Sequence, residues 1–276
     1  MDEPQTSYAV SDGLRIAYAE AGAGPEVVFL HGVGSTKDVW RAQLEHFSTT
    51  GMRCIAAEYR GYGDSDVPPP RSLEAAAADA QAISRAAFAR DVLAVLDACG
   101  VSAAHFCGCS LGGVIALECY RQAPGRVRSL ALVDTFAFYP GGVESMRERI
   151  DTLERLGMTE FARTRARGVL RPDALPERVE RVRAEMGSIP LDVYKAATRA
   201  TWTGDYRALL PRITVPVLAI WGEHDTDVAP RALSEEIVAL TKSASALAVI
   251  ADAGHVPNVD NPLAFNQALD GWWRSL

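Results

Sequence analysis

Ser110 lies at the centre of a Gly-x-Ser-x-Gly pattern that Gly108 and Gly112 complete, between the apolar run 104–109 and helix-like sequence. Where a strand turns abruptly into a helix, neighbouring backbone comes so close that only glycine fits on either side of the turn. The same turn lifts a serine Oγ clear of the sheet and points the N-terminus of the helix at it. The pattern predicts a nucleophilic serine rather than a simple helix cap. Because it also arises by chance in chains of this length, its context has to decide.

A serine hydroxyl is a poor nucleophile near neutral pH, and it needs a base within hydrogen-bond reach and an acid that fixes the tautomer of that base. Two later segments offer such groups. One apolar run ends at Trp221 and is followed by Asp225, and the next ends at Ile250 and is followed by His255. Both residues come after the carboxyl ends of predicted strands, where open parallel sheets bind ligands. The order serine, acid, histidine is the one expected on such a sheet, so we predict that the three act together.

The acid and the base each have competitors nearby in the sequence. Asp227 and Glu223 are alternatives to Asp225 for the role of the acid. Each of them could be that acid or a solvated carboxylate of the loop. His224 adjoins the acid and competes with His255, and we interpret it as a residue that only lines the loop. We assign Asp225 as the acid and His255 as the base.

The other histidines and the cysteines receive no chemical role. We interpret His31, which follows a predicted strand, as a structural residue that orients the next turn rather than as a second base. His46 and His105 are interpreted as a helix-face and a strand-start histidine. The five cysteines are odd in number and lie mostly in apolar segments, which favours reduced packing residues over disulfides or metal ligands. They are Cys54, Cys99, Cys107, Cys109 and Cys119.

These residues need a scaffold, and the apolar runs and turn signals of the chain supply one. They predict strands over 7–10, 14–20, 27–30, 54–57, 104–109, 127–133, 213–221 and 246–250. They predict helices over 36–47, 84–99, 111–122, 232–241 and 262–276. The turn signal at 11–13 joins the first two strands as an antiparallel hairpin at one sheet edge. Alternating strands and helices predict an α/β fold, a mostly parallel eight-stranded sheet flanked by helices on both faces.

Two stretches interrupt this alternation. Residues 73–82 are Ala-rich and helix-prone but have little amphipathic definition, and we interpret them as a surface excursion. Residues 136–210 change to charged helical sequence without a strand-like run, and we predict an inserted helical lid there, with the core formed by residues 1–135 and 211–276. About 70 residues are too many for a simple connection between strands, so we expect this insertion to cover the mouth of the site.

The insertion carries the candidate pocket residues and many charges. Between positions 141 and 205 it has eleven Arg and one Lys against eleven Asp or Glu, mostly a solvated ion-pair surface with pairs such as Arg147–Asp151 and Glu177–Arg181. An arginine that faces the substrate is the less favoured interpretation. The pocket candidates are aromatic residues at the ends of the insertion and the residue after the histidine, although core packing explains the aromatics nearly as well: Phe136, Phe138, Tyr139, Trp202 and Val256.

Composition limits the class of protein. The chain has 276 residues, 48% of them hydrophobic, enough for one large α/β domain with an insertion. The net charge of −7 without a long basic block argues against nucleic acid or an anionic membrane as the main partner. The sequence shows neither the pattern of a signal peptide nor a run of roughly 18 to 20 apolar residues, so we expect a cytoplasmic protein.

Taken together, the motifs resemble the α/β-hydrolase superfamily over nearly the whole chain, and in particular its lid-bearing serine esterases and enol-lactonases. Two departures stand out: Glu58 replaces the Asp usual before the Arg-Gly pair, and Cys109 replaces the Asn often seen before the serine in carbon-carbon bond hydrolases. The matching pieces are His31-Gly32, Arg60-Gly61-Tyr62-Gly63-Asp64-Ser65, Gly108-Cys109-Ser110-Leu111-Gly112-Gly113, Gly222-Glu223-His224-Asp225 and Gly254-His255.

The resemblance implies hydrolysis of a small carboxylic ester or lactone, without a cofactor or a metal, through an acyl-enzyme on Ser110. The backbone N–H groups of Val33 and Leu111 would hold the oxyanion. We expect substrates that are small and mostly apolar around the reacting carbonyl. The alternatives are carbon-carbon bond hydrolysis of vinylogous keto acids, peracid formation, or a small-ligand receptor with little turnover. Epoxide and haloalkane hydrolysis are disfavoured, because water does not release an alkyl group from a serine ether.

Overall fold

The computed structural model describes residues 5–69 and 82–276. All but the last residue of the helix-prone stretch 73–82 therefore lies outside the described residues.

Eight strands form one sheet in the spatial order β1-β2-β4-β3-β5-β6-β7-β8. The strands are β1 (Thr6–Ser11), β2 (Leu14–Ala21), β3 (Glu26–Leu30), β4 (Arg53–Ala57), β5 (Ala104–Cys109), β6 (Val127–Val133), β7 (Val217–Gly222) and β8 (Ser245–Ile250). The hairpin of β1 and β2 forms one edge and pairs antiparallel, and every pair from β4 to β8 is parallel. The predicted fold class, a mostly parallel eight-stranded sheet flanked by helices, is confirmed.

The helices connect the strands and cover the sheet. They are α1 (Arg41–Thr49), α2 (Arg85–Ala98), α3 (Leu111–Gln122), α4 (Gly142–Gly168), α5 (Pro176–Ser188), α6 (Leu191–Trp202), α7 (Arg231–Leu240), α8 (Pro257–Asp260) and α9 (Pro262–Trp273). Helix α2 shows why they begin and end where they do. The Ser84 hydroxyl accepts the backbone N–H of Ala87 at its start, and Gly100 takes a positive φ just past its end. Among the described residues, no helix is both long enough and apolar enough to cross a membrane.

Two predicted boundaries are wrong for identifiable reasons. The strand predicted from residue 213 begins only at Val217, because Pro216 has no N–H to donate to a neighbouring strand. The helix predicted over 36–47 divides into a 3₁₀ turn, Lys37–Trp40, and α1. The Thr36 hydroxyl caps the 3₁₀ turn by accepting the N–H of Asp38. Neither change alters which residues end at the carboxyl edge of the sheet.

Helices α4, α5 and α6 form the segment between β6 and β7, which we call the helical insertion (residues 136–210). Gly157, at φ 71° and ψ 165°, interrupts α4 and kinks it. The insertion is bonded to the loop that carries the candidate histidine, since the backbone N–H of Arg171 donates to Asp260 Oδ2 at 2.7 Å. The same oxygen accepts the N–H of Gly254 at 2.8 Å.

Many insertion charges form surface pairs, although not always the predicted ones. Arg181 pairs with Glu185 at 3.3 Å rather than with Glu177, although both carboxylates lie one helical turn away from it on α5. Arg163 pairs with Glu160 in the same way on α4. These exposed pairs contribute little stability, and they mainly keep the outer face of the insertion solvated.

Candidate active site

The turn between β5 and α3 holds Ser110 at φ 55° and ψ −117°, a left-handed conformation that only a tightly packed turn imposes on a serine. A Cβ at Gly108 would lie 2.2 Å from the carbonyl oxygen of Gly112. A Cβ at Gly112 would lie 2.1 Å from the carbonyl oxygen of Leu30. Both positions of the motif therefore require glycine, and the strain at the serine follows from the close packing of strand, turn and helix.

Asp225 and His255 form a buried pair after β7 and β8, where the sequence predicts an acid and a base. His255 Nδ1 lies 2.7 Å from Asp225 Oδ2. Because an ionised carboxylate only accepts hydrogen bonds, Nδ1 carries the proton and Nε2 is left as a base. The Asp225 carboxylate also accepts the N–H groups of Val228 and Ala229, each at 3.2 Å. These bonds fix the carboxylate, and the carboxylate fixes the ring.

The Asp225 carboxylate keeps its negative charge although it is buried. Burial acts to raise the pKa of this carboxyl, but the neighbouring imidazole of His255 and the donated N–H bonds outweigh it and lower the pKa below its ordinary value. Asp225 is therefore ionised at neutral pH and stabilises a positive charge on His255. The exposed Asp227 makes no such contact with the histidine, and its carboxylate accepts the Thr226 hydroxyl.

Asp134, immediately after β6, is a third buried group that sequence reasoning missed. Carboxylate or ring atoms of Asp134, Asp225 and His255 lie within 4.8 Å of one another. Asp134 accepts the backbone N–H of Gly222 at 2.9 Å. Burial, together with the negative charge of Asp225, raises its pKa well above the ordinary range. Burial and the neighbouring charge thus favour the protonated form of Asp134 beside the charged acid. Its signal was present in the sequence as an acidic residue directly after a buried strand.

The same three side chains form one of two clusters, among residues 5–69 and 82–276, whose ligand atoms are close enough to share a metal ion. Their hydrogen bonds to one another and to backbone N–H groups account for this proximity. The other cluster, Glu223, His224 and Asp252, is exposed. Exposed acidic groups of this kind are common without a bound metal.

The turn after β3 lies against the serine. Its ends are joined by the Ser35 N–H and the Gly32 carbonyl oxygen at 3.2 Å, with Val33 between them. A Cβ on Gly32 would lie 3.4 Å from the Cβ of Ser110, which measures how close this turn comes. Leu111 is the first residue of α3, so its N–H has no partner within the helix. Val33 thus lies in the turn that meets the serine, and Leu111 directly follows the serine in the chain.

His31 supports this turn from behind. It is fully buried, its ring lies 4.4 Å from that of Tyr59 and 4.8 Å from that of Tyr62, and its Nδ1 bonds the Gly32 carbonyl oxygen. Burial lowers the pKa of His31 to about 4, so the ring is neutral. Tyr62 in turn donates its hydroxyl to the carbonyl oxygen of Val33 at 3.2 Å. These contacts are those of a residue that orients the turn.

One cavity of about 460 Å³, including its open mouth, joins these groups to the helical insertion. From the sheet come the turn 32–35, Ser110, His255 and Val256, and from the insertion come Tyr194 and Trp202. The exposed fractions of Ser110, Asp225 and His255 are only 3%, 3% and 7%, so a reaction at the serine would proceed almost out of contact with bulk water. Of that volume, only about 30 Å³ is accessible to the centre of a water-sized sphere, so the cavity is narrow.

The predicted pocket residues divide into two groups. Trp202 and Val256 line the cavity. Phe136 and Tyr139 instead pack against the Trp202 ring, at centroid distances of 6.1 and 6.4 Å. Phe138 lies beneath the Arg207 guanidinium at 3.8 Å. Core and surface packing therefore account for these three aromatic residues.

Two insertion arginines, Arg149 and Arg165, line the cavity beside Ser110 and His255. The interpretation of the insertion charges as a mainly solvated surface is wrong for these two. Helical spacing alone did not separate them from the nine other arginines between positions 141 and 205. Their inward direction depends on how the insertion packs on the sheet.

The chain is similar to known proteins in both sequence and structure. Residues 25–262 match the family described as alpha/beta hydrolase fold. The chain is 28% identical over 253 residues to 3-oxoadipate enol-lactonase 2 of Acinetobacter baylyi, covering 89% of this chain and 87% of that enzyme. The structure of a thermophilic esterase from Thermogutta terrifontis matches with a TM-score of 0.85, 26% identity and 98% of both chains. A hydrolase from Pseudomonas aeruginosa PA01 matches with a TM-score of 0.83, 31% identity and 98% of both chains.

Proposed function

The chain belongs to the α/β-hydrolase fold family and is a hydrolase, and on that premise we propose that it cleaves a small carboxylic ester or lactone through an acyl-enzyme on Ser110. The observation that carries this proposal is the buried hydrogen bond between His255 and Asp225 beside a cavity that Ser110 also lines. A serine, a histidine with a free Nε2 and a charged acid are the groups that acyl transfer needs.

The reaction begins when His255 Nε2 takes the proton of the Ser110 hydroxyl while Oγ attacks the carbonyl carbon of the substrate. The carbonyl oxygen becomes an oxyanion, which the N–H groups of Val33 and Leu111 stabilise by two hydrogen bonds. Asp225 stabilises the imidazolium that forms and keeps Nδ1 as the donor. When the tetrahedral intermediate collapses, the ester or lactone C–O bond breaks and His255 returns the proton to the leaving oxygen.

Water completes the cycle. His255 removes a proton from a water molecule, whose oxygen attacks the acyl carbon, and the bond from that carbon to Ser110 Oγ breaks. The serine recovers its proton from His255 as the acid is released. For a lactone, the alcohol and the acid are the two ends of one product. Every proton is transferred through His255 Nε2, so these reaction steps require no cofactor.

Two relatives support this choice of reaction. The names enol-lactonase and esterase both denote cleavage between an acyl carbon and an oxygen. The helical insertion supports the size limit, because α4 and α6 contribute Arg149, Arg165, Tyr194 and Trp202 to the cavity wall. We propose that it acts as a lid, which excludes water and restricts the substrate to small molecules.

A fluorophosphonate probe tests the nucleophile. We expect one covalent adduct per chain, located on Ser110 by peptide mass spectrometry, and none in Ser110→Ala. Ser243→Ala is the matched control, since this hydroxyl bonds the carbonyl oxygen of Val215 away from the cavity. Its labelling should equal that of the wild type. Labelling of any other serine in the wild type contradicts the assignment.

Turnover is tested separately with short aryl esters, lactones and vinylogous keto acids. We expect release of acid and alcohol from esters or lactones. Labelling at Ser110 without turnover of any of these compounds would favour a receptor, and cleavage of the keto acids alone would favour a carbon-carbon bond hydrolase.

A further inference from the structure

The two arginines that line the cavity come from distant positions of one helix. Arg149 and Arg165 are 16 residues apart in α4, and in a straight helix they would lie about 24 Å from each other along the axis. The kink at Gly157 lies between them, and both line the cavity that Ser110 and His255 also line. The break in α4 therefore allows two positive charges to reach the same small space.

Neither guanidinium has an anionic partner in the part of the chain that the structure describes. Within residues 5–69 and 82–276, neither Arg149 nor Arg165 forms a salt bridge or a side-chain hydrogen bond, and the Nε of each is buried without a partner. Arg163 differs: it lies two residues from Arg165 on the same helix, and it pairs with Glu160 on the outer surface. Two residues apart on one helix, Arg163 thus has an anionic partner at the surface, whereas Arg165 lines the cavity without one among the described residues.

Retaining two unpaired charges at this place costs free energy of folding. Burial lowers the pKa of Arg165 to about 10, and the like charge of Arg149 adds to this decrease. Arg165 is still protonated at neutral pH. Arg149 is held over the ring of Trp202, with 4.5 Å from its guanidinium carbon to the ring centroid, which orients it without neutralising it. An anion in the cavity would remove the repulsion and supply the missing acceptors.

The acidic groups near the cavity do not perform this role. Asp225 and Asp227 attract Arg165 from a distance, but neither forms an ion pair with it: the Asp225 oxygens accept from His255, Val228 and Ala229, and Asp227 accepts the Thr226 hydroxyl. Because no carboxylate of the described residues pairs with either arginine, the arrangement favours an anion from outside the chain.

We propose that Arg149 and Arg165 bind a carboxylate on the substrate, so that the ester or lactone that this site hydrolyses carries a second, anionic end. This assignment rests on the proposed function for the reacting carbonyl but not for the anion site itself. A planar carboxylate suits two guanidinium groups, which donate from fixed positions. The cavity is then divided into an oxyanion side, formed by the turn 32–35 and α3, and a carboxylate side, formed by α4.

Matched substrates test the proposal. The first pair is mono(4-nitrophenyl) adipate and 4-nitrophenyl hexanoate, whose acyl chains have the same number of carbons and differ by the terminal carboxylate. The second pair, 4-acetoxybenzoate and 4-methylphenyl acetate, carries the charge on the leaving group instead. For each pair the measured quantity is the ratio of kcat/KM for the anionic ester to that for the neutral ester. We expect the ratio to fall by about 100-fold in Arg149→Met/Arg165→Met for at least one pair.

Three further variants make the result interpretable. Arg163→Met removes a charge from the same helix outside the cavity, and its ratio should equal that of the wild type within about twofold. Arg165→Lys retains the charge and should keep more of the preference than Arg165→Met. If the double variant does not fold by circular dichroism, these single variants carry the comparison. The inference is overturned if neither pair shows a ratio that differs by more than about threefold between the wild type and the variants.

Calorimetric titration with adipate separates this inference from the proposed function. Adipate binding that weakens at least tenfold in Arg165→Met, in a chain that hydrolyses no ester, would leave the anion site standing and remove the esterase proposal. Equal hydrolysis of charged and neutral esters by the wild type and the double variant, with no adipate binding, would leave the esterase proposal and remove the anion site.

Discussion

The two walls of the cavity are built on opposite principles. On the sheet side, the acid and the base are bonded within the protein, since Asp225 accepts from the histidine and two backbone N–H groups. On the insertion side, Arg149 and Arg165 are left without acceptors among the described residues. The protein itself fixes the acid and the base, whereas an anionic substrate would complete the hydrogen bonds of the two arginines. From this difference we infer that the groups on the sheet carry out the reaction and that the insertion selects the substrate.

The walls also differ in how closely their backbones approach. Glycines in the nucleophile turn leave no room for a Cβ, with backbone oxygens at 2.1 and 2.2 Å from the positions it would take. The insertion meets the turn 32–35 through a flexible side chain, since the Cε of Met186 lies 2.8 Å from a Cβ added at Gly34. At the histidine loop its backbone comes closer, since a Cβ at Gly254 would lie 2.6 Å from the backbone carbon of Leu170. Substitutions should therefore be poorly tolerated in the sheet wall and better tolerated in the insertion.

The largest expected effect comes from removing the nucleophile. Ser110→Ala should lower kcat for a short aryl ester by a factor on the order of 10⁵, because serine and histidine act as a unit. The thermal unfolding temperature should change little, since the turn conformation is imposed by its surroundings. Steady-state kinetics and a melting curve on the same preparation measure both. Retention of a tenth of the activity would refute the assignment of chemistry to this wall.

The next effect distinguishes two neighbouring acids. Asp225→Asn should lower kcat by a factor on the order of 10³ to 10⁴, because an amide can donate to His255 and favour the wrong tautomer. Asp227→Asn is the matched control, and its rate should stay within about threefold of the wild type, since the Asp227 carboxylate is exposed and accepts the hydroxyl of the neighbouring Thr226. The reverse ranking would move the acid by two residues.

The smallest effect concerns the insertion wall. Esters with an acyl chain of two to four carbons should have a kcat/KM at least about tenfold above that of a twelve-carbon ester, measured below its micelle concentration, because the insertion limits the space beside the serine. Replacing Tyr194 with alanine should narrow this gap, since its ring lines the cavity from α6. A tenfold preference for the long chain would show that the insertion does not close a small pocket.

The sheet wall was predictable from the sequence because its signals are local. The glycines at 108 and 112 mark a turn that no other residue fits, and the acid and the histidine follow apolar runs of strand length. The order of strands then brings the three segments to one edge of the sheet. Asp134 follows the same rule after β6, but one carboxylate after a strand looks like an ordinary turn residue until its neighbours are known.

The insertion wall was not predictable in the same way. Arg149 and Arg165 occur in a helical, charge-rich pattern that also describes the exposed Arg163. Their direction depends on the kink at Gly157 and on the packing of α4 against the sheet, which are long-range features. The prediction that aromatic residues at the ends of the insertion line the pocket was partly wrong for a related reason. Phe136 and Tyr139 pack against the Trp202 ring rather than line the cavity. Residue type alone does not distinguish an aromatic side chain that lines a cavity from one that packs behind the lining.

The single oxygen of Asp260 that accepts both Gly254 and Arg171 makes the two walls mechanically dependent. Arg171 lies just past the end of α4 and Gly254 is the residue before His255, so one carboxylate oxygen holds both segments through their backbone N–H groups. Loss of that oxygen would leave both N–H groups without their acceptor at once, so the insertion and the loop that carries His255 share one anchor.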